Sequence, residues 1–445
     1  MRGTWVLLLL FIAYPCLAQD SSDDYYRQDR VLYEDHSYLP FIKTVLLHRE
    51  GNPLSVPLIM LGSDERLQLS FDDLNGGDEV YEYTFIHCNA EWKNSNLQPT
   101  DYMQGFLNDR ITSISYSFNT NQRYSHRKLL FPNESIQLSK SGNYIVLVYR
   151  NGDPKQVIIT RRFMVAEKRV EVDVKAHAST IGDSRRYKQE VDFTVFTSGY
   201  AISNPFAELK TVITQNGRWD NAIRGLQPRF MKDKELVYDY EEENLFNGGN
   251  EFRPIDFRNF KYRAENTEDI AYEAAPEGYY GQDTLAPKFL HILMQKDQRR
   301  SANQYYSTKS DLNGKFLISV QEDRNPDSEA DYAFVYFRLP VYAPSPDGNL
   351  YVGGAFCDWT FEPQNRMSYD EVQKAYTCTL FLKQGYYNYL YYYLKDGSNE
   401  ADVTTIEGNH SESSNSYAVY IYQREPGGRY DRLIGHSFAE SSFER

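Results

Sequence analysis

Polar and apolar residues alternate one by one over Ser113-Ile-Ser-Tyr-Ser-Phe118, and again over Val170-Glu-Val-Asp-Val-Lys-Ala176. A period of two is that of a β-strand, whose successive side chains point to opposite faces. It sets one face on a core and the other in solvent, as in antiparallel sandwich sheets. Leu67, Leu69 and Phe71 repeat the pattern, as do Tyr81, Tyr83, Phe85 and His87, and further on Val191, Phe193 and Val195. Between runs stand Asn75-Gly76-Gly77-Asp78 and Ser141-Gly142-Asn143, residues that tolerate positive φ and close hairpins. The abundance of Tyr (38) and Phe (25) agrees, since aromatic side chains suit a pleated, half-buried surface. An all-β chain of tandem sandwich units is expected, with helix well below the usual third.

At 445 residues the chain has room for about three domains. Residues 1–18 read as a secretory signal peptide: Arg2 is the basic start, Trp5 to Ala13 the apolar stretch, and Cys16-Leu-Ala18 the small-residue cleavage site. A lipid attachment at Cys16 is the alternative, which Tyr14 and Pro15 disfavour. Later apolar runs, such as Tyr144-Ile-Val-Leu-Val-Tyr149, are strand-sized and fall far short of the roughly 20 residues of a spanning helix. The expected division is an acidic leader at 19–40, a first sandwich at 41–167, and a second with long loops at 168–329. A third unit follows at 330–424, and a polar, frayed tail at 425–445.

Cleavage removes Arg2 and takes the formal charge from -14 to -15. Such a balance argues against nucleic acid, which is held by basic patches, and against an anionic membrane surface. No His pair has helical metal-site spacing, and no Cys-x-x-Cys, Gly-x-Ser-x-Gly or phosphate loop occurs. Asp72-Asp-Leu-Asn75-Gly-Gly-Asp78 faintly resembles a calcium loop but lacks its spacing and closing Glu, and reads as a turn. No catalytic, cofactor or metal residue is assigned, and no cofactor is expected. Of the cysteines beyond residue 18, Cys357 and Cys378 lie in one segment and could pair, leaving Cys88 free; the alternative is three small buried hydrophobes. Asn133-Glu-Ser135 and Asn409-His-Ser411 are formal glycosylation sites without further weight.

Tyr351-Val-Gly-Gly-Ala-Phe356-Cys-Asp-Trp359, followed by Gln384-Gly-Tyr-Tyr-Asn-Tyr389, resembles the immunoglobulin-like modules that include glycogen- and starch-binding domains. That likeness makes the third unit immunoglobulin-like, and the fold class tandem immunoglobulin-like β-sandwich units. It leaves two roles for Trp359: a sugar-stacking platform, or, as favoured here, sandwich core together with Phe356.

A denser likeness runs from Glu82-Tyr-Thr-Phe-Ile-His-Cys88-Asn-Ala-Glu-Trp92 through Asp101-Tyr-Met-Gln-Gly-Phe106 and Phe131-Pro-Asn133 to Ser141-Gly-Asn-Tyr144. With Leu382-Lys-Gln-Gly-Tyr-Tyr-Asn-Tyr389 it covers most of the chain in order. It is similar to the plug protein of the type IX secretion system of Bacteroidota. The resemblance implies a periplasmic, non-enzymatic subunit, peripheral to the outer membrane, that binds the translocon barrel and blocks its periplasmic mouth. It assigns no contact residue. An exported glycan-binding protein with a carbohydrate-binding-like C-terminal module is the alternative, to be recognised by exposed stacking tryptophans. A hydrolase with two carboxylates at catalytic separation is a third class.

Overall fold

The computed structural model describes residues 30–264, 266–276, 288–301, 311–321, 324–398 and 400–441. It is all-β, with 48% strand and 5% helix. Its strands form three two-sheet sandwiches, each around its own buried cluster.

The first sandwich packs a sheet in the order His36–Ser37, Asp153–Ala166, Gly142–Arg150, Tyr81–Cys88, Asp109–Arg110 on a sheet in the order Ile42–Arg49, Leu67–Asp73, Ser125–Phe131, Ser113–Tyr116. Leu67, Leu69 and Phe71 meet Tyr81, Tyr83 and Phe85 in its core, so these alternations do have one buried face. The leader ends inside this unit, because His36 and Ser37 pair with Thr160 and Ile159 and Tyr38 is buried. The alternation at 113–118 is different. Every residue of Ser113–Tyr116 is exposed, and Phe118 is 71% exposed. The strand ends its sheet, and its counterpart at the end of the facing sheet, Asp109–Arg110, is two residues long. Among the described residues nothing covers this apolar face, so its expected place on a core is corrected.

The second sandwich joins Glu171–Ala178, Lys188–Phe196, Glu235–Tyr238 and Phe230–Lys232 to a sheet in the order Ile223–Arg224, Leu209–Gln215, Ser416–Gln423, Arg432–Glu440. The third lies wholly between these halves. Its sheets are Arg253–Asp256, Gly385–Lys395, Phe316–Ile318 (with Gly348–Gly353 also on Gly385–Lys395) and Thr267–Ala274, Lys288–Met294, Tyr332–Pro340, Ala375–Lys383, Ser368–Asp370. The linear division at 168–329, 330–424 and 425–445 is therefore corrected: the third unit is an insertion in the second. Leu209–Gln215 pairs along its whole length with Ser416–Gln423, placed far downstream. The expected tail holds a strand whose Leu433 and Ile434 are fully buried. Chain order misleads here because antiparallel partners need not be neighbours in sequence, and strands such as Thr267–Ala274 are too exposed to alternate cleanly.

Each unit also has one run with no polar face, and each such strand is buried on both sides. Tyr144, Val146 and Val148 enter the first core while Ile145 faces the second unit. Tyr417, Val419 and Ile421 enter the second core while Ala418, Tyr420 and Tyr422 face the first unit. Tyr387, Tyr389 and Tyr391 enter the third core while Leu390 and Tyr392 join a separate cluster with Phe252 and Trp359. Tyrosine suits these walls because its ring fills a core and its hydroxyl reaches a polar group beyond. Tyr422 donates to Asn143 Oδ1 at 2.8 Å, and Tyr389 and Tyr391 both donate to Asp297 at 2.6 Å.

Candidate functional site at the junction of the three units

Asp72 lies near the end of the strand Leu67–Asp73 and is fully buried against the third unit. Its Oδ2 accepts from Lys383 Nζ at 2.6 Å and from the Tyr332 hydroxyl at 2.8 Å, and its Oδ1 lies 2.7 Å from His126 Nδ1. Burial alone would raise this carboxyl; Lys383 and His126 more than offset that and hold it below its usual range. Lys383 is equally buried, and its ammonium sits 4.2 Å from the centre of the Tyr124 ring. Nearby, Asp331 of the third unit accepts from the backbone of Asn121 and Gln122. The turn after Asp72 is thus a structural element: Asp73 accepts from Tyr81 and from the Asn75 amide, and Asp72 is committed to an ion pair.

The first and second units share an apolar cluster that includes Leu58, Cys88, Trp92, Val212 and Tyr420. Buried Asp431 closes it, accepting from the Ala90 amide at 3.0 Å, Lys210 at 3.0 Å and Arg424 at 2.7 Å. Glu167, at the exit of the first unit, is pulled down to about 2: burial opposes ionisation, but Arg432, Ser141 and Arg169 all bond the carboxylate. Between the first and third units, Arg161 holds Asp358 at 3.0 Å.

Trp359 is half-buried and lies outside the third core, so its expected place there is corrected. It spreads over Gly314, where a Cβ would stand 2.2 Å from the indole. Arg218 of the second unit covers the ring at 5.0 Å and Phe252 meets its edge. Phe356 does pack against the third core. Trp92 is 3% exposed, with Trp219 against it edge-on, and Trp219 stacks on Tyr420. Each of the three described tryptophans is in contact with other side chains of the protein.

All three described cysteines are free thiols, so the pairing of Cys357 with Cys378 is not formed. Burial pushes them up to about 12 (Cys88 and Cys378) and about 11 (Cys357), which keeps them protonated and unreactive. Asn133 donates to the Tyr83 hydroxyl and to a backbone carbonyl, and Asn409 accepts from the Gly249 amide.

One cluster escaped a search by spacing along the chain. Strand register sets His177 opposite Glu190, with Asp192 two residues on, and one ligand atom of each lies within 4.8 Å of the others. The set could in principle hold a metal ion, but its own bonds already occupy it. His177 Nε2 lies 3.0 Å from Asp192, Asn244 donates to Asp192, and Glu190 accepts twice from Thr180. The Asp192 bond chiefly raises His177 to about 9. A raised folded value gives stability that is complete below the unfolded histidine value and lost as pH climbs through about 9. The melting temperature should therefore fall between about pH 6.5 and pH 9. Asp192→Asn should flatten that slope; an unchanged slope in the variant would refute the assignment.

Comparison with known proteins decides the lineage. Residues 42–167 match the family model "Type 9 secretion system plug protein 1st domain". The chain belongs to the type IX secretion system plug family. The crystal structure of a hypothetical protein from Parabacteroides merdae ATCC 43184 is similar along nearly the whole length: 33% identity, TM-score 0.85, 93% of this chain and 100% of that one. A biofilm associated protein BSP domain aligns at 8% identity with a TM-score of 0.16, over 92% of this chain and 60% of that one, from which no shared fold follows. No curated protein matches. The matched plug-family domain is the first sandwich, and it supplies Asp72 and His126 to one junction and Trp92 to the other. Plug-family membership makes the chain a secretion-system component. No helix among the described residues is long and apolar enough to cross a membrane.

Proposed function

We propose that the protein is the periplasmic plug subunit that binds and closes the periplasmic mouth of the type IX outer-membrane translocon. The match of the first sandwich to the plug family carries this reading. The architecture suits the task. A pore wide enough for folded cargo leaks small solutes when idle, and a stopper must hold its shape across it. Three sandwiches bolted together through buried ion pairs and aromatic clusters make a stiff body. A stopper must also let go, which calls for a contact of standard size with aromatic anchors and a polar rim. The free edge of the plug-family domain offers such anchors in Ile114, Tyr116 and Phe118. Export by residues 1–18 would bring the chain to the periplasm, and its formal charge, -14 before cleavage and -15 after loss of Arg2, favours solubility there.

Deleting the gene should raise uptake of a large hydrophilic antibiotic over that of the parent strain, at equal translocon levels, and the protein should co-purify with the translocon in mild detergent. Equal uptake together with no co-purification would overturn the proposal.

A further inference from the structure

Between the first and third units lies a cavity of about 560 Å³, within the range of small-molecule sites. Its walls include Phe41, Phe316, Phe356, Phe381 and Tyr387. Four charged residues line it: Lys43, Arg161, Lys383 and Asp358. Arg161 is paired with Asp358, and Lys383 with the buried Asp72 behind it. The ammonium of Lys43 has neither hydrogen bond nor ion pair among the described residues, and burial pushes it below the ordinary lysine value. An uncompensated ammonium at an aromatic-walled cavity is costly unless something else supplies the counter-charge. The excess is positive, in a protein whose formal charge is -14.

The backbone is bent to place it there. The strand Ile42–Arg49 pairs in register through Lys43, then slips before Leu46. Thr44, at the slip, has φ 52, a conformation that a β-branched residue adopts only under constraint. Its hydroxyl is held at 2.7 Å by the Tyr332 hydroxyl of the third unit. Local strain of this kind persists where the surroundings impose it.

We propose that this cavity binds a small amphiphilic anion, a monocarboxylate with an apolar chain, whose head group pairs with Lys43 while its chain lies among the phenylalanines. The inference is independent of the plug reading. Calorimetric titration of the full chain from Gln19 with sodium decanoate, below its micellar concentration, tests it against 1-decanol. One decanoate should bind per chain, with decanol weaker by about tenfold or more. Lys43→Met keeps the stem and removes the charge. It should weaken decanoate by about tenfold or more, yet melt at or above the parent temperature because an unpaired charge is gone. Absence of saturable decanoate binding, equal binding of decanol, or unchanged binding by the variant would each overturn the proposal. So would a lower melting temperature of Lys43→Met, which would show that the protein itself pairs the charge.

Discussion

Lys383→Met is expected to cost about 3–5 kcal/mol of folding stability, although methionine fits the space of the lysine stem. The cost comes from what remains. Asp72 is fully buried and its carboxylate faces Lys383 at 2.6 Å. Without the ammonium it must stay charged in an apolar place or take up a proton, and the Tyr332 and His126 bonds cannot replace a full counter-charge. Because Asp72 belongs to the first unit and Lys383 to the third, the loss should also loosen the two sandwiches from each other. A double-mutant cycle with Asp72→Asn isolates the pair, because the amide keeps a side-chain oxygen for Tyr332 while removing the charge. The double variant should lose clearly less than the sum of the single variants. The measurement is urea denaturation of the four proteins. A loss under about 1 kcal/mol for Lys383→Met would mean that water or rearrangement already satisfies Asp72.

Ending the chain after Gly428 should unfold the second sandwich, although the cut lies in the last few per cent of the sequence. The lost strand Arg432–Glu440 pairs with Ser416–Gln423 along its length. It carries the fully buried Leu433 and Ile434, and each large buried aliphatic is worth about 2–5 kcal/mol. The cut also removes Arg432, which holds Glu167 by two bonds, and buried Asp431, which closes the junction of the first and second units. Together these exceed what a domain of ordinary stability, about 5–15 kcal/mol, can lose. Limited proteolysis is the direct readout: cleavage should appear in residues 171–247 of the truncated protein and be absent from the full chain. Identical digestion patterns would show that the strand is dispensable.

These two predictions mark where reading the sequence succeeds and where it stops. Alternation at Leu67–Phe71, Tyr81–His87 and Val191–Val195 identifies sandwich strands, because a pleated strand with one wet face leaves no other pattern. The aromatic and aliphatic runs at 144–149, 387–392 and 417–422 are legible as strands too, but that both sides of each are covered is seen only in the packed structure. For 144–149 and 417–422 the second face is covered by another unit, and that is not written locally. The Ser113–Phe118 pattern is as regular as any in the chain, yet among the described residues its apolar face is bare, since burial depends on the length of the facing strand. The same holds for the candidate site. Asp72 and Lys383, or Lys210 and Asp431, are far apart in sequence and carry no spacing signal. His177 and Glu190 come together only through strand register.

Period, turn chemistry and strand length are local properties of the backbone, and they suffice to make this chain a β protein with three cores that turns at its Gly-Asn and Asn-Gly positions. Long-range pairing settles the rest: that the third sandwich interrupts the second, that the last strand is core, that Trp359 lies under Arg218, and that Lys43 lines a cavity with no partner among the described residues. Those outcomes depend on which distant strands pair and which faces meet, and pairing is set by the free energy of the whole packed molecule.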